Sequence, residues 1–382
     1  MSSPFSGIRF DRNELAGAFG DLGTDLPLII GMIAASGIDG ASVLLLFGAL
    51  QIFSGLWYRM PMPVQPLKAF AAIVIAQRLP GGVIYGGGLA IGVLMLLLSV
   101  TGLITWLARI IPKPVIRGIQ LGLGLQLATL ALREYVPGDG VSGYVLAILA
   151  FGITVALLGN RTYPPALIVI ALGVLYGLFL KLDWATLPTT IGFTLPQLHV
   201  PTYPDILTGL VLLALPQIPL SLGNSVLATR QIIRDHYPER EVGVRQISFT
   251  YSLMNLIAPF FSGIPVCHGS GGMAGHYAFC ARTGGSVVIY GLVFLVLGLF
   301  FSGGFAQIVQ IFPLPMLGVL LLFEGLALAS LSRDLVHERR DWAVALLTGI
   351  VAGSMPYGFL IGLVLGTTLY YLAGRNLIGF GK

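Results

Sequence analysis

Long apolar runs alternate along the chain with short breaks of glycine, proline or charge. Runs of crossing or near-crossing length fall at Leu15–Ser36, Ala41–Trp57, Gly86–Arg109, Val115–Leu132, Tyr144–Leu158 and Pro165–Leu180. A second set follows at Ile206–Ala228, Ile247–Phe261, Val287–Phe301, Leu317–Leu331, Trp342–Gly353 and Tyr357–Leu372. A helix needs about 20 apolar residues to cross a hydrocarbon core. The pattern therefore predicts an all-α polytopic membrane protein. Two further runs, Pro66–Gln77 and Gly271–Ala281, start at a Pro/Gly break and are too short to cross. Each reads as a half-helix, which gives fourteen segments with the third and tenth broken.

Composition agrees with this pattern. Only 10% of residues are charged, 56% are hydrophobic and the mean hydropathy is +0.90. A soluble domain carries roughly 25% charged residues, so a soluble enzyme is excluded. The net charge of +5 does not point to nucleic acid, because the basic residues sit in short loops. No cleaved signal peptide and no soluble domain at either end are expected. Two cysteines, Cys267 and Cys280, make no disulfide framework.

The two sets of runs are related. Pro63-Val64-Gln65 matches Pro265-Val266-Cys267, an offset of 202. Ile111-Pro112-Lys113-Pro114 matches Phe312-Pro313-Leu314-Pro315, and the run from Leu123 to Leu130 matches the run from Glu324 to Leu331, both at 201. Residues 1–190 and 201–382 thus read as two repeats of seven segments. Seven is odd, so the second repeat should insert inverted. Of the 21 Lys and Arg, all but Arg78, Arg133, Lys181 and the intramembrane Lys68 then fall on one side. The positive-inside rule puts that side, with both termini, in the cytoplasm. Inverted repeats with broken helices are a transporter signature.

The polar residues left within the apolar runs are the candidate chemistry. The stretch from Pro265 to Gly275 is glycine-rich, and irregular backbone at membrane depth must be buried or line a polar cavity. Both half-helices should start near the midplane with unpaired amides, from about Gln65–Lys68 and from His268-Gly269-Ser270-Gly271-Gly272, where the helix dipole favours an anion. Glycine allows close backbone approach, although small residues also serve helix packing. Lys68 either neutralises an anionic ligand or pairs with Asp21, Asp25 or Glu324. Asp21 carries a coupling proton or braces the broken helices, and Asp25 reads as bracing. Gln217 and Asn224 either donate to the ligand or hydrogen-bond between helices. Glu324, the other carboxylate well inside an apolar run, is a proton-coupling or gating candidate. Cys267, His268, His276 and Cys280 match no metal spacing, so no metal or other cofactor is expected.

Several of these stretches resemble one family. Phe19-Gly20-Asp21-Leu22-Gly23-Thr24, Met62-Pro63-Val64-Gln65-Pro66-Leu67-Lys68-Ala69, and Pro265 through Gly275 with Ala281-Arg282-Thr283-Gly284 are similar to the molybdate transporters, a branch related to the sulfate permeases (SulP). With the repeat, the resemblance covers essentially the whole chain. It implies uptake of molybdate, a tetrahedral dianion, with tungstate and sulfate as competitors. It also implies the seven-plus-seven inverted fold shared with sulfate and nucleobase permeases, in which segments 1–4 and 8–11 form a core moving against a gate of segments 5–7 and 12–14. The substrate would lie between half-helices 3 and 10. No STAS domain of the kind usual in sulfate permeases is expected, as in the molybdate branch, and a homodimer is expected only from relatives of the fold. Nucleobase permeases use carboxylates where this chain has Asn224 and the His268–Ser270 region, which suits an anion better. The expected function is a secondary active importer, proton-coupled through Asp21, Glu324 or His268, with Thr24 among the supporting residues. The rival readings are an importer of sulfate or another anion, an oxyanion channel or sensor, and a membrane enzyme.

Overall fold

In a computed structural model the described residues are 7–18, 20–158, 165–181, 192–300 and 312–375. The first half comprises α1 (Arg12–Ala18), α2 (Leu22–Ser36), α3 (Gly40–Tyr58), β1 (Val64–Pro66), α4 (Lys68–Gln77), α5 (Gly81–Thr101), α6 (Leu103–Ile110), α7 (Lys113–Leu130), α8 (Gly140–Ala156) and α9 (Pro165–Leu180). The second half comprises α10 (Tyr203–His236), α11 (Val244–Ile257), β2 (Val266–His268), α12 (Ser270–Ala278), α13 (Gly285–Phe300), α14 (Leu314–Ser330), α15 (Arg339–Ser354) and α16 (Gly358–Gly374). Among the described residues, five helices are long and apolar enough to cross a membrane: α3, α5, α7 with its extension to Tyr135, α10, and α14 with its extension to Leu335.

The apolar runs become helices, with three local corrections. The first run is not continuous: α1 ends at Ala18 and α2 starts at Leu22. The break is packed tightly, since a Cβ on Gly20 would come within 2.8 Å of the Gly275 carbonyl oxygen. The fourth run breaks at Gly102, whose φ of 74° favours glycine. The chain is also not purely helical, because β1 and β2 form a two-stranded antiparallel sheet. Extended backbone leading into each half-helix has no internal hydrogen bonds, and inside a membrane it must find partners. Each segment finds them in the other. The long helix α10 contains π-turns at Leu210–Ala214 and Ser221–Ala228, bracketing Pro216 and Pro219, which cannot donate to the helical ladder.

The sheet register is centred on Gln65 facing Cys267, with Val64 facing His268 and Pro66 facing Val266. Gln65 and Cys267 are 202 positions apart, which is the offset of the sequence match. The outer edges of the two strands are closed in the same way. Gln51 of α3 donates to the Val64 carbonyl at 2.6 Å and accepts from its N–H at 2.8 Å. Asn255 of α11 donates to the Val266 carbonyl at 2.6 Å and accepts from its N–H at 2.9 Å. A carboxamide carries one donor side and one acceptor side, so it can replace a neighbouring strand.

The helices pack in two groups. In the first, α3 packs on α13, α5 on α10 and α11, and α2 on α4. In the second, α7 packs on α14 and α15, α15 on α16, and α14 on α8. The α7–α14 crossing is made at glycine: a Cβ on Gly325 would lie 2.6 Å from the Gly124 carbonyl oxygen, and one on Gly124 would strike the Gly325 carbonyl. Between the groups, α4 meets α7 and α2 meets α14 and α9.

Candidate functional site

The two strands deliver the starts of α4 and α12 to one place. Leu67 N donates to the Pro265 carbonyl at 3.2 Å, which ties the turn into α4 to the other strand. Neither half-helix has a side-chain hydrogen bond at its N-cap. The first amides of an α-helix have no partner within the helix. On α4, Gln217 accepts from the Phe70 N–H at 3.1 Å and so fills one of these positions. On α12, the amides of Ser270, Gly271 and Gly272 are the equivalent group.

A cavity of about 310 Å³ opens in front of them, between the two helix groups. The first group contributes Gln65, Lys68, Leu220, Asn224, Ser270 and Gly271, and the second contributes Gln120, Glu324, Ala327, Leu328 and Leu331. A water occupies about 30 Å³ of liquid, so a small hydrated oxyanion fits. Ser270 Oγ donates to Asn224 Oδ1 at 2.8 Å, leaving the Asn224 amide nitrogen as a free donor group beside the cavity. Lys68 Nζ meets Glu324 Oε1 at 3.1 Å, joining the two groups across the cavity. Gln120, on α7, accepts from Arg117 Nη1 at 3.0 Å. Nothing in the sequence singled out Gln120, because it lies in a different helix group and its place is set only by the crossing of α7 and α14.

Several sequence candidates sit behind this lining. Gln65 Nε2 donates to both carboxylate oxygens of Asp21 at 2.6 Å, and the Gln65 amide lies against Gly269, where any Cβ would collide with it. Gly272 makes room for the Asp21 carboxylate in the same sense. Gly271 faces open space. The glycine cluster therefore divides: Gly269 and Gly272 serve close packing, and Gly271 serves the cavity. His268 is fully buried, with Nε2 2.8 Å from Thr250 Oγ1 and its ring edge-on to Tyr58, away from the lining. Gln217 is also buried, donating to Ser221 Oγ at 3.1 Å. His268 and Gln217, both expected near the ligand, lie outside the lining of this cavity. Asp25 accepts from Tyr290 Oη at 3.2 Å. The side chain of Thr24 lies outside the described residues.

One residue that the sequence reading passed over holds the site's frame. Glu14 is fully buried and accepts from the N–H groups of Arg282 and Thr283 at 2.9 Å and of Ser286 at 3.0 Å. It caps the start of α13, where a carboxylate is favoured by the dipole, and so ties α1 to the loop that follows α12. Its polar context at residues 9–14 hid it among surface charges. His276 is engaged nearby, its Nδ1 3.0 Å from Ser286 Oγ.

A family model described as a molybdate transporter of the MFS superfamily matches residues 13–127 and 209–328. Those ranges contain the cavity's polar lining on both helix groups. Molybdate transporter 2 of Arabidopsis thaliana is 34% identical over 408 aligned residues, covering 92% of this chain and 86% of that protein. Molybdate transporter 1 of the same plant is 32% identical, covering 97% and 90%. In fold, the transmembrane domain of a cyanobacterium bicarbonate transporter is similar with a TM-score of 0.67 at 17% identity, covering 95% of this chain and 98% of that one.

Proposed function

This chain belongs to the molybdate-transporter family, and from that premise we propose that it imports molybdate by alternating access, with the oxyanion held in the cavity between the two helix groups. The observation that carries the reading is the convergence of Lys68, the Asn224 amide held by Ser270, and the free backbone amides of α12 on one cavity between two separately packed bodies. A tetrahedral dianion matches a ring of fixed donors. Gln65, fixed by Asp21, closes the back of the ring. His268, Gly269 and Gly272 hold the strand and half-helix that aim it, and Gln217 shapes the facing turn of α4.

The first group acts as the core and the second as the gate, each drawn from both halves of an inverted repeat. Support for the repeat comes from the sheet centred on Gln65 and Cys267, the paired Gln51 and Asn255 clamps, and the meeting of Gly124 with Gly325. An antiparallel meeting of repeat-equivalent strands suits inverted halves, whereas the two halves of MFS transporters are parallel repeats. Both termini lie in the cytoplasm by the charge pattern. Import of a dianion against a negative interior costs about 2.3 kcal/mol per charge per 100 mV, so uptake is coupled to protons.

Proteoliposome uptake of molybdate, with tungstate, sulfate and uracil as competitors and an imposed pH gradient, tests this. Saturable molybdate uptake, inhibited by tungstate and driven by an inward proton gradient, is the expected result. Binding of sulfate or uracil without molybdate removes the substrate assignment. Uptake indifferent to both pH and membrane potential removes the coupling.

A further inference from the structure

Among the described residues that line the cavity, Lys68 is the one cation and Glu324 the one anion, and they are paired at 3.1 Å. Their side chains are 23% and 9% exposed, so the pair is largely withdrawn from water. Lys68 begins α4 in one helix group, while Glu324 lies 256 positions away on α14 in the other. Arg78, just beyond the other end of α4, makes another ion pair between the groups, with Glu134. That pair is open to solvent, where ion pairs contribute little.

An oxyanion seated on the α12 amides needs the charge that Glu324 now occupies. Two anions then compete for one ammonium. Leaving Glu324 ionised beside a bound dianion, without its cation, strands a buried charge, which is strongly unfavourable. The same holds for Lys68 in the empty cavity if Glu324 is removed.

Resting on the reading of this cavity as the molybdate site, we propose that Glu324 is an internal stand-in for the substrate. The carboxylate holds Lys68 while the cavity is empty, and is displaced and protonated when the oxyanion binds. The proton enters from solvent, forms an O–H bond on Glu324 and leaves again when the anion departs and the ion pair re-forms. The pair across the groups breaks on loading and returns on emptying, so the same event ties substrate, proton and gate together. The empty carrier can then cross back with no unpaired charge in its interior.

Three helices packed around Glu324, namely α4, α2 and α7, bring charged groups near it. From α4 it faces Lys68, and from α2 the nearest acids are Asp25 and Asp21, which are engaged by Tyr290 and Gln65. On α7, Arg117 and Lys113 are held by Asp334, which follows α14, at 2.8 Å each. Arg133 and Glu134 lie beyond the far end of α7, and α8 and α9 carry no charged residue. His268 and His276 are turned to Thr250 and Ser286.

The test compares wild-type protein with Glu324→Gln and Glu324→Asp in proteoliposomes, measuring molybdate binding against pH, molybdate-for-molybdate exchange, and net uptake. Wild-type affinity should weaken by up to about tenfold per pH unit as one proton is taken up per anion. Glu324→Gln should bind with no such pH dependence and exchange molybdate, yet lose net uptake, because its empty carrier keeps Lys68 unpaired. Glu324→Asp should keep the pH dependence and recover part of net uptake. Wild-type binding in detergent, followed with a pH-sensitive dye, should take up about one proton per molybdate, and this arm needs no variant to fold. A wild type that takes up no proton on binding, or a Glu324→Gln protein with wild-type net uptake and pH profile, overturns the proposal. A wild type that does not bind molybdate at all overturns the substrate reading instead.

Discussion

Gln65 donates its side-chain amide to both oxygens of Asp21, linking the first strand to the break between α1 and α2. That amide also rests on Gly269, so the break before α2, strand β1 and the start of α12 meet at one buried contact. Asp21→Asn keeps the shape but removes the charge that fixes Gln65. Hydrogen bonds to a charged group contribute about 1.5–3 kcal/mol. The expected outcome is a thermal midpoint several degrees lower and a molybdate affinity weaker by at least about tenfold, read by fluorescence melting and radiolabel binding. Unchanged binding in Asp21→Asn would show that Gln65 needs no anchor.

The glycines of the half-helix should separate on substitution. Gly271→Val places its side chain in open space, so the protein should fold with a near-normal melting temperature and lose molybdate binding by filling the cavity. Gly269→Val collides with Gln65 and should lower stability as well. Overpacking a fitted interior typically costs about 1–3 kcal/mol. Equal melting temperatures for the two variants would contradict the division of roles.

The edge clamps are expected to matter more for folding than for chemistry. Gln51→Leu or Asn255→Leu leaves one N–H and one C=O of a buried strand without partners, at about 1–3 kcal/mol for each group. Each variant should melt well below wild type, and Gln51→Glu, which has lost the donor, should not rescue the first. A melting curve superimposable on wild type for either leucine variant removes the clamp argument.

Glu14→Ala should release the start of α13, since three backbone N–H donors lose their acceptor. Loss of a helix-capping side chain typically costs about 0.5–2 kcal/mol. Protease cleavage near residues 281–285 should accelerate in the variant, and digestion at the wild-type rate contradicts the role.

A larger residue at Gly124 or Gly325 should pry α7 from α14. Gly325→Leu is expected to lower the melting temperature and slow transport more than it weakens binding, because the crossing lies in the second helix group, apart from the amides of α12. A comparison of binding constants with initial uptake rates distinguishes the two effects.

The amino-acid sequence by itself determined the apolar runs, the internal match between Pro63–Gln65 and Pro265–Cys267, and short helices starting near Pro66 and Gly271, close to the observed starts at Lys68 and Ser270. These are local properties: hydrophobic length sets what crosses a bilayer, and proline and glycine set where a helix begins. It also marked Lys68, Asn224, Ser270, Gly271 and Glu324, since a polar residue in an apolar run needs a partner. Which partner was decided only by the tertiary structure. Lys68 had three carboxylates open to it and takes Glu324, while Asp21 is taken by Gln65 and Asp25 by Tyr290. His268 and Gln217 turn away from the cavity, and Gln120 turns toward it. The direction of a side chain depends on how helices hundreds of residues apart cross, and no period along the chain records that crossing.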